Sequence, residues 1–427
     1  MKLKLRNRRG VALMLVLSAI VFLTTMIVEF AYNTSVHYHL AMNERDRLKS
    51  YYLAKSAYSF MLLELKFDRM FRRIVESQNL GQYLGGSAQL PLCQQFPLST
   101  GLIRTVFTGG GLGGLMEGDE GGDTEENIED LRRDVSLSQE KNAEEFLQFE
   151  GDFDGECIDE STKINLNGFA GLRKTPEQEG RPSPFDEYKG FLYDFLSKPA
   201  FELLFEKADL EISTVVNNIG DWVDDDTEIN LMNGRRGGAE RSLYDRLGVE
   251  YPVRNGKLFT PLEVYLIDGV VSEWYAPLEH YFTIYGDSKI SVCNASKDIV
   301  ENLIIRYIQS NPDLPPVRID DQDELDRFYG VLMDVCSQGG NVDQLPAQMA
   351  TALDAAIGRE ELEEGQQGQQ GQQNQNTGFA AYVATGTRFF TLNLAGQVLD
   401  TTVRIRAVMD VAEQDPKKWK LLYWRIY

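Results

Sequence analysis

Residues 11–28 carry no charge, a run of Val, Ala, Leu, Met, Ile and Phe broken only by Ser18, Thr24 and Thr25. A bilayer core needs about 20 apolar residues, with about 17 as the lower limit, so the run is long enough to span. Beyond it, Ala54, Ala57, Tyr58, Met61, Leu62 and Leu65 recur at helical spacing and mark one apolar face. No Gly or Pro interrupts the chain between Gly10 and Gln78. The pattern predicts a single helix over residues 11–80, with residues 11–30 in the membrane and the remainder outside it. A cleaved secretory signal is the competing reading. It needs a small-residue site after the apolar run, and Glu29-Phe30-Ala31-Tyr32 offers none.

The pattern changes after the helix. Residues 81–144 are Gly-rich and then acidic, with Gly109-Gly110-Gly111 and Gly121-Gly122, which reads as a linker or insertion. Two short strands and a turn are predicted within residues 145–167. Helical periodicity dominates residues 173–360, with the clearest helices at 191–205, 262–267, 297–309, 324–336 and 345–357. Residues 361–378 form a Gln/Gly-rich flexible spacer. Then Val403, Ile405, Ala407, Met409 and Val411 alternate with mostly polar neighbours, the period of a half-buried strand. Phe390, Leu392 and Leu394 precede that strand across a predicted turn at Ala395-Gly396-Gln397. Trp419, Leu421 and Tyr423 follow it across Gln414-Asp415-Pro416. The reading is an antiparallel meander, one face of which needs a cover. The apolar face of the long helix supplies one. The expected fold is α+β: the helix on a sheet drawn from residues 145–172 and 379–427, with residues 173–360 inserted as a mainly helical domain.

Charge sharpens this picture. The chain has 43 Lys and Arg against 65 Asp and Glu, for a net charge of −22. That balance argues against a nucleic-acid binder. Lys2, Lys4, Arg6, Arg8 and Arg9 crowd the first ten residues, and a basic cluster before an apolar span stays cytoplasmic. Four cysteines in so long a chain do not build a disulfide scaffold, although an oxidising compartment permits pairing. Cys293 with Cys336 is the expected pair, since both lie in one region and close a moderate loop. Buried free thiols are the alternative. His37, His39 and His280 are the only histidines and suggest no metal or catalytic cluster. The sequence has no Gly-x-Ser-x-Gly, His-Glu-x-x-His or phosphate-binding Gly loop, so an enzyme is not expected.

Gly10 closes the basic leader, and a leader of residues 1–10 followed by an apolar helix resembles a type IV prepilin signal. The resemblance implies that a prepilin peptidase cuts between Gly10 and Val11 and that the new amino terminus is methylated. Most such proteins carry Glu at the fifth mature position, where this chain has Leu15. A buried carboxylate in lipid needs a partner, so its absence suits a subunit with no neighbour above it.

Further motifs follow in order: Asp159-Glu160-Ser161-Thr162-Lys163-Ile164-Asn165-Leu166-Asn167, Asp221-Trp222-Val223-Asp224-Asp225-Asp226, and Gly237-Gly238-Ala239-Glu240. Asn255-Gly256, Leu262 to Gly269, and Ile290-Ser291-Val292-Cys293-Asn294-Ala295 come later. Together these resemble the general secretion pathway protein K family, the minor pseudopilin K of type II secretion. The match runs from Gly10 to about Asn294. Ser291 and Cys293 depart from that family's pattern.

The resemblance implies an inner-membrane protein, its bulk periplasmic, at the tip of a pseudopilus. The implied partners are other minor pseudopilins of the I and J types, the inner-membrane secretion machinery and the prepilin peptidase. It also implies calcium in the helical region, and Asp221, Asp224, Asp226 and Glu240 are hard oxygen donors suited to it. Counted from Asp224, the sixth position is Ile229 and the twelfth Arg235, so any site is not an EF-hand. A solvated acidic loop with Asp224 capping a helix is the alternative. For the whole chain, the alternative is a single-pass periplasmic calcium-dependent hydrolase or substrate-binding receptor, with a deep pocket holding Asp224 and Glu240.

Overall fold

The computed structural model describes residues 9–77, 91–105, 149–175, 182–232, 236–248, 251–311, 314–338, 344–358, 379–384, 386–413 and 415–427. Helix α1 (Arg9–Ser77) runs unbroken for 69 residues, a length of about 100 Å at the helical rise. Its first part is long and apolar enough to cross a membrane, and none of the described residues covers it. The face changes character near Asp46. From there Leu53, Ala54, Ala57, Met61 and Leu65 are buried. Residues 1–8 of the leader lie outside the described residues, as do residues 81–90 and 106–144 of the expected linker and the whole 361–378 spacer.

Residues 91–105 correct one expectation, because they do not behave as linker. Helix α2 (Leu92–Gln95), strand β1 (Leu98–Ser99) and helix α3 (Thr100–Thr105) are ordered. Their apolar residues Cys93, Leu98 and Ile103 enter the core between α1 and the sheet. Polar ties fix them. Asp68 on α1 accepts from Leu92 N at 2.9 Å, and Thr100 Oγ1 accepts from Phe153 N at 2.7 Å. A disulfide joins Cys93 to Cys157.

The sheet under α1 has five strands in the order β1-β2-β7-β8-β9, with β2 at Asp152–Asp159, β7 at Phe389–Val398, β8 at Thr401–Asp410 and β9 at Lys420–Ile426. Every pairing is antiparallel. Phe153, Cys157, Phe390, Leu392, Leu394, Ile405, Ala407 and Met409 point inward to α1, in the period-two register that strand geometry imposes. The turn expected at Ala395-Gly396-Gln397 is instead strand, and the chain reverses at Leu399 and Asp400. Gly396 marks the crossing of the helix. A Cβ there would lie 2.1 Å from Ser50 O and 2.5 Å from Ala54 N, so only glycine lets the two backbones approach. Ser50 Oγ then donates to Thr401 O at 2.9 Å.

Asp159, the last residue of β2, pairs with Phe390, near the start of β7. The chain therefore leaves the sheet and returns to it at neighbouring positions, and a second unit hangs from this gate. It contains β3 (Ile164–Asn165) paired in parallel with β6 (Phe282–Thr283), and a β4 (Glu228–Asn230)–β5 (Arg236–Ala239) hairpin. Its helices are α4 (Pro184–Leu196), α5 (Glu202–Ala208), α6 (Ile212–Val223), α7 (Arg241–Leu247), α8 (Ser272–Leu278), α9 (Lys297–Ser310), α10 (Gln322–Gln338) and α11 (Leu345–Ile357).

The helix expected over 191–205 is two helices, since Pro199 lies between Leu196 and Glu202 and breaks the hydrogen-bond ladder. The helix expected over 262–267 is a 3-10 turn, Pro261–Leu266, and Ile267 follows it in extended conformation. Ile164, Leu166 and Phe169, expected with the sheet, pack into the core of this second unit, and so do Phe379 and Val383. Cys293 and Cys336 form a disulfide within it.

Two glycine substitutions separate close approach from intrinsic helix cost. Gly396→Ala should destabilise the full chain in detergent by about 1–3 kcal/mol, because the colliding atoms are backbone. Gly190→Ala, mid-helix in α4 with nothing near its added Cβ, should stabilise by about 0.5–1 kcal/mol. Thermal denaturation that moved both variants the same way would contradict this account of the helix–sheet contact.

Candidate metal centre

Helix α6 shows an apolar face in Val215, Val216, Ile219, Trp222 and Val223, all buried. Burying that face drives the helix end, and its acidic residues, inward. Asp221 is the last-turn residue and Asp224 the residue just past the helix, with an extended backbone. Asp224 thus sits at a helix C-terminus, not as an N-cap. Carboxylates there face the negative end of the helix dipole.

The chain then turns. Asp224 Oδ1 accepts from Asp226 N at 3.2 Å and Asp226 Oδ1 accepts from Glu228 N at 2.8 Å. β4 follows and returns as β5 to Glu240. Gly237 permits that hairpin, because a Cβ on it would lie 2.9 Å from the Ile229 Cβ.

One carboxylate oxygen from each of Asp221, Asp224 and Glu240 falls within 4.8 Å of the others. All three residues are buried. Asn230 organises two of them. Its backbone N–H donates to Asp221 Oδ1 at 3.0 Å, and its side-chain amide to Asp224 Oδ2 at 3.2 Å. Glu240 is different, being only 3% exposed with neither carboxylate oxygen holding a hydrogen-bond partner. Burial, then the neighbouring Asp221, Asp224 and Asp226, push its carboxyl up to about 9. Burial also raises Asp221, to about 6, and raises Asp224.

Asp226 stands apart from this cluster. Its Oδ2 pairs with the Lys174 ammonium, which also donates to Asp224 Oδ2 at 2.7 Å. A second ammonium, Lys189, is 1% exposed and donates to Asn217 Oδ1 at 3.0 Å and to Asn230 O. Burial pulls it down to about 8, against the opposing influence of Asp221 and Asp186.

The donor set fits a divalent oxygen-seeking cation. Three buried carboxylates with two orphaned oxygens among them make an arrangement that burial alone penalises and a hard cation relieves. Glu240 would hold it through its two free oxygens, with Asp221 and Asp224 completing the set.

The other motif residues bind backbone. Asn167 donates to Leu258 O and Ile284 O at 3.0 and 2.7 Å, and Asn165 donates to Gly286 O at 2.9 Å. Asn255 donates to Asp226 O, and Gly256 N to Trp222 O, so this segment straps the acidic turn. Trp222 and Trp274 are core residues, while His37, His39 and His280 are exposed. Sequence reasoning missed Lys174, Lys189 and Asn230. Only the last had a visible signal, lying between the Asp run and Glu240. Gly10 and Val11 lie within α1.

No family model matches the sequence, and no curated protein matches it significantly. Among solved structures, the chain is similar to one in the GspK–GspI–GspJ complex of the type 2 secretion system of enterotoxigenic Escherichia coli. The identity is 15%, the match covers 65% of this chain and 80% of that one, and the TM-score is 0.39. At that level the similarity assigns nothing by itself.

Without a divalent ion, Glu240→Gln should raise stability at neutral pH, since a carboxyl pushed up to about 9 must take up a proton to stay buried and an amide need not. The expected gain is on the order of 1 kcal/mol, read as a higher melting temperature in chelator. A lower melting temperature would mean that the Glu240 carboxylate already has a compensating partner.

Proposed function

We propose that this chain is a minor pseudopilin of a type II secretion system, of the K type, placed at the pseudopilus tip. The observation that carries the reading is α1. One helix is apolar and uncovered over its first part and buried on an antiparallel sheet over its second. That is the build of a subunit that stands in a membrane and stacks by its helix. The ordered motifs from Gly10 to about Asn294 point to the same family.

Several features support the finer reading. The basic leader favours a cytoplasmic N-terminus, and the two disulfides suit an oxidising compartment for the bulk. Together they support an inner-membrane anchor with the large units periplasmic. Leu15 is exposed on the uncovered helix; it asks for no partner charge above it, as befits an end subunit. The second unit has a larger core than the helix and sheet, and its bulk would obstruct stacking of a further copy. The role is assembly: initiation with I- and J-type minor pseudopilins, on the inner-membrane machinery, after prepilin peptidase cleavage. Calcium at Asp221, Asp224 and Glu240 would hold the second unit's acidic turn in shape.

The hydrolase or receptor alternative requires a deep pocket at Asp224 and Glu240. The cavity that Glu240 lines with Asn218, Asp221, Trp222 and Tyr244 measures about 10 Å³, room for about one water. Asp224 does not line it. The cluster therefore suits an ion better than a substrate.

Mass spectrometry of the mature protein should find Val11 at its N-terminus, and Gly10→Leu should leave the full-length precursor. A mature chain that begins at Met1, or beyond residue 28, would remove the pseudopilin assignment.

Chelation tests the ion separately. A ligand at a hundredfold excess over Kd stabilises the folded state by about 2.7 kcal/mol, so chelator should lower the melting temperature of the wild type. With Glu240→Gln, calcium should lose most of its effect. If chelator leaves the wild type unchanged, the cluster is not a calcium site.

A further inference from the structure

Four carboxylates, Asp221, Asp224, Asp226 and Glu240, crowd one turn, and two ammonium groups among the described residues face them. The two cations are anchored in opposite ways. Lys189 rises from α4, is 1% exposed, and is held by Asn217 Oδ1 and the Asn230 carbonyl. Its stem packs against Gly220, where a Cβ would lie 3.1 Å from Lys189 Cε. It is part of the core. Lys174 comes from an irregular stretch between Phe169 and α4, with Arg173 and Thr175 exposed on either side. Its side chain is 17% exposed and lies 4.9 Å over the Phe185 ring. Its ammonium donates to Asp224 Oδ2 and Asp226 Oδ2.

We propose that Lys174 is a resident cation that a divalent ion displaces, so that the carboxylate set opens from three members to four as the ammonium swings to solvent. The inference rests on reading the cluster as a divalent-cation site. Asp224 Oδ2 already accepts from both Lys174 and Asn230. To ligate an ion through that oxygen, Asp224 must release the ammonium. The same release frees Asp226 Oδ2, which Lys174 now holds away from the cluster. One positive charge leaves and two arrive, in a site where Glu240 has no other partner. Lys174 thereby stabilises the ion-free turn and weakens ion binding by the cost of its own removal. Exchange at this position would tune the site to a high cation concentration, such as extracellular modules meet.

The test uses the full chain in detergent with calcium as the probe. Acetic anhydride labelling read by mass spectrometry should show Lys174 protected in chelator and severalfold more reactive in calcium, with Lys189 protected throughout. Lys174→Met keeps the stem over Phe185 but removes the charge. It should melt lower in chelator and bind calcium about tenfold more tightly, by calorimetry. Lys174→Arg should retain wild-type affinity to within a few-fold. If calcium binds but Lys174 stays protected, or Lys174→Met binds no more tightly, Lys174 is a fixed outer partner and the displacement is wrong. If the wild type binds no calcium and Glu240→Gln is equally silent, the site reading itself fails. Should Lys174→Met fold only in calcium, the proposal stands; should it fold in neither condition, the wild-type labelling decides.

Discussion

The structure depends on the approach of α1 to β7 at Gly396. A helix normally rides on a sheet at the distance its side chains set. Here the Ser50 carbonyl and the Ala54 amide pass so near Gly396 that no side chain fits between. Ala54 and Ala57, both fully buried, keep the contact thin, while Met61 and Leu65 fill the wider part toward β2 and β8. Each large apolar side chain buried there contributes about 1.5–3 kcal/mol. A two-stranded hairpin alone would be marginal; the helix gives the meander a covered face, and β2 extends it on one side. The same helix, followed back toward its N-terminus, loses its buried face and becomes an uncovered apolar rod. The apolar part long enough to cross a membrane and the part that covers the sheet thus belong to one continuous helix.

The second unit is attached without disturbing that contact, because Asp159 and Phe390 are neighbours in the ladder. An insertion whose ends already lie side by side adds little loop-closure cost to the parent fold. The two cores remain separate clusters. Each carries one disulfide, Cys93–Cys157 beside the sheet and Cys293–Cys336 in the helical unit. The acidic turn lies wholly in the second unit, so a change in its cation would reshape that unit's surface while leaving the helix–sheet stalk alone.

What could be read from the sequence follows the strength of local periodicity. Helix α1 and the β8 strand were legible because their burial patterns repeat over many residues with nothing competing. Helix α9 was read to within a residue, α11 at its observed ends and α10 within its bounds, for the same reason. The failures have physical causes. Gly396 resembles a turn residue, yet its missing side chain serves a contact with Ser50 and Ala54, far away in sequence. Residues 91–105 sit inside a Gly-rich stretch, and only the tertiary partners Asp68, Phe153 and Cys157 order them. Helix α6 was passed over because Asn217, Asn218 and Gly220 lower its helix propensity, although Val215, Ile219, Trp222 and Val223 mark its face. Of the four carboxylates singled out, Asp221, Asp224 and Glu240 converge and Asp226 turns to Lys174. The charge run was visible, but the lysine that divides it comes from fifty residues upstream and carries no local mark.

Burying carboxylates at a helix C-terminus is a poor way to gain stability, since well-packed apolar residues in the same volume commonly do as well or better. Asp221, Asp224 and Glu240 therefore make the turn conditional. With Lys189 locked in the core and Lys174 at the margin, the ion-free turn is held by ammonium groups, and Glu240 remains without a partner. Disulfides form readily only in oxidising compartments, and weak calcium sites fill only where calcium is abundant. Both would, on the proposed reading, consolidate the folded chain after its bulk has crossed the membrane. On the proposed reading, a subunit built this way reaches its final rigidity on the far side of the bilayer, where its neighbours are. The helix–sheet contact at Gly396 requires neither condition, so on that reading the helix and sheet can form first and the second unit can tighten around an ion afterward.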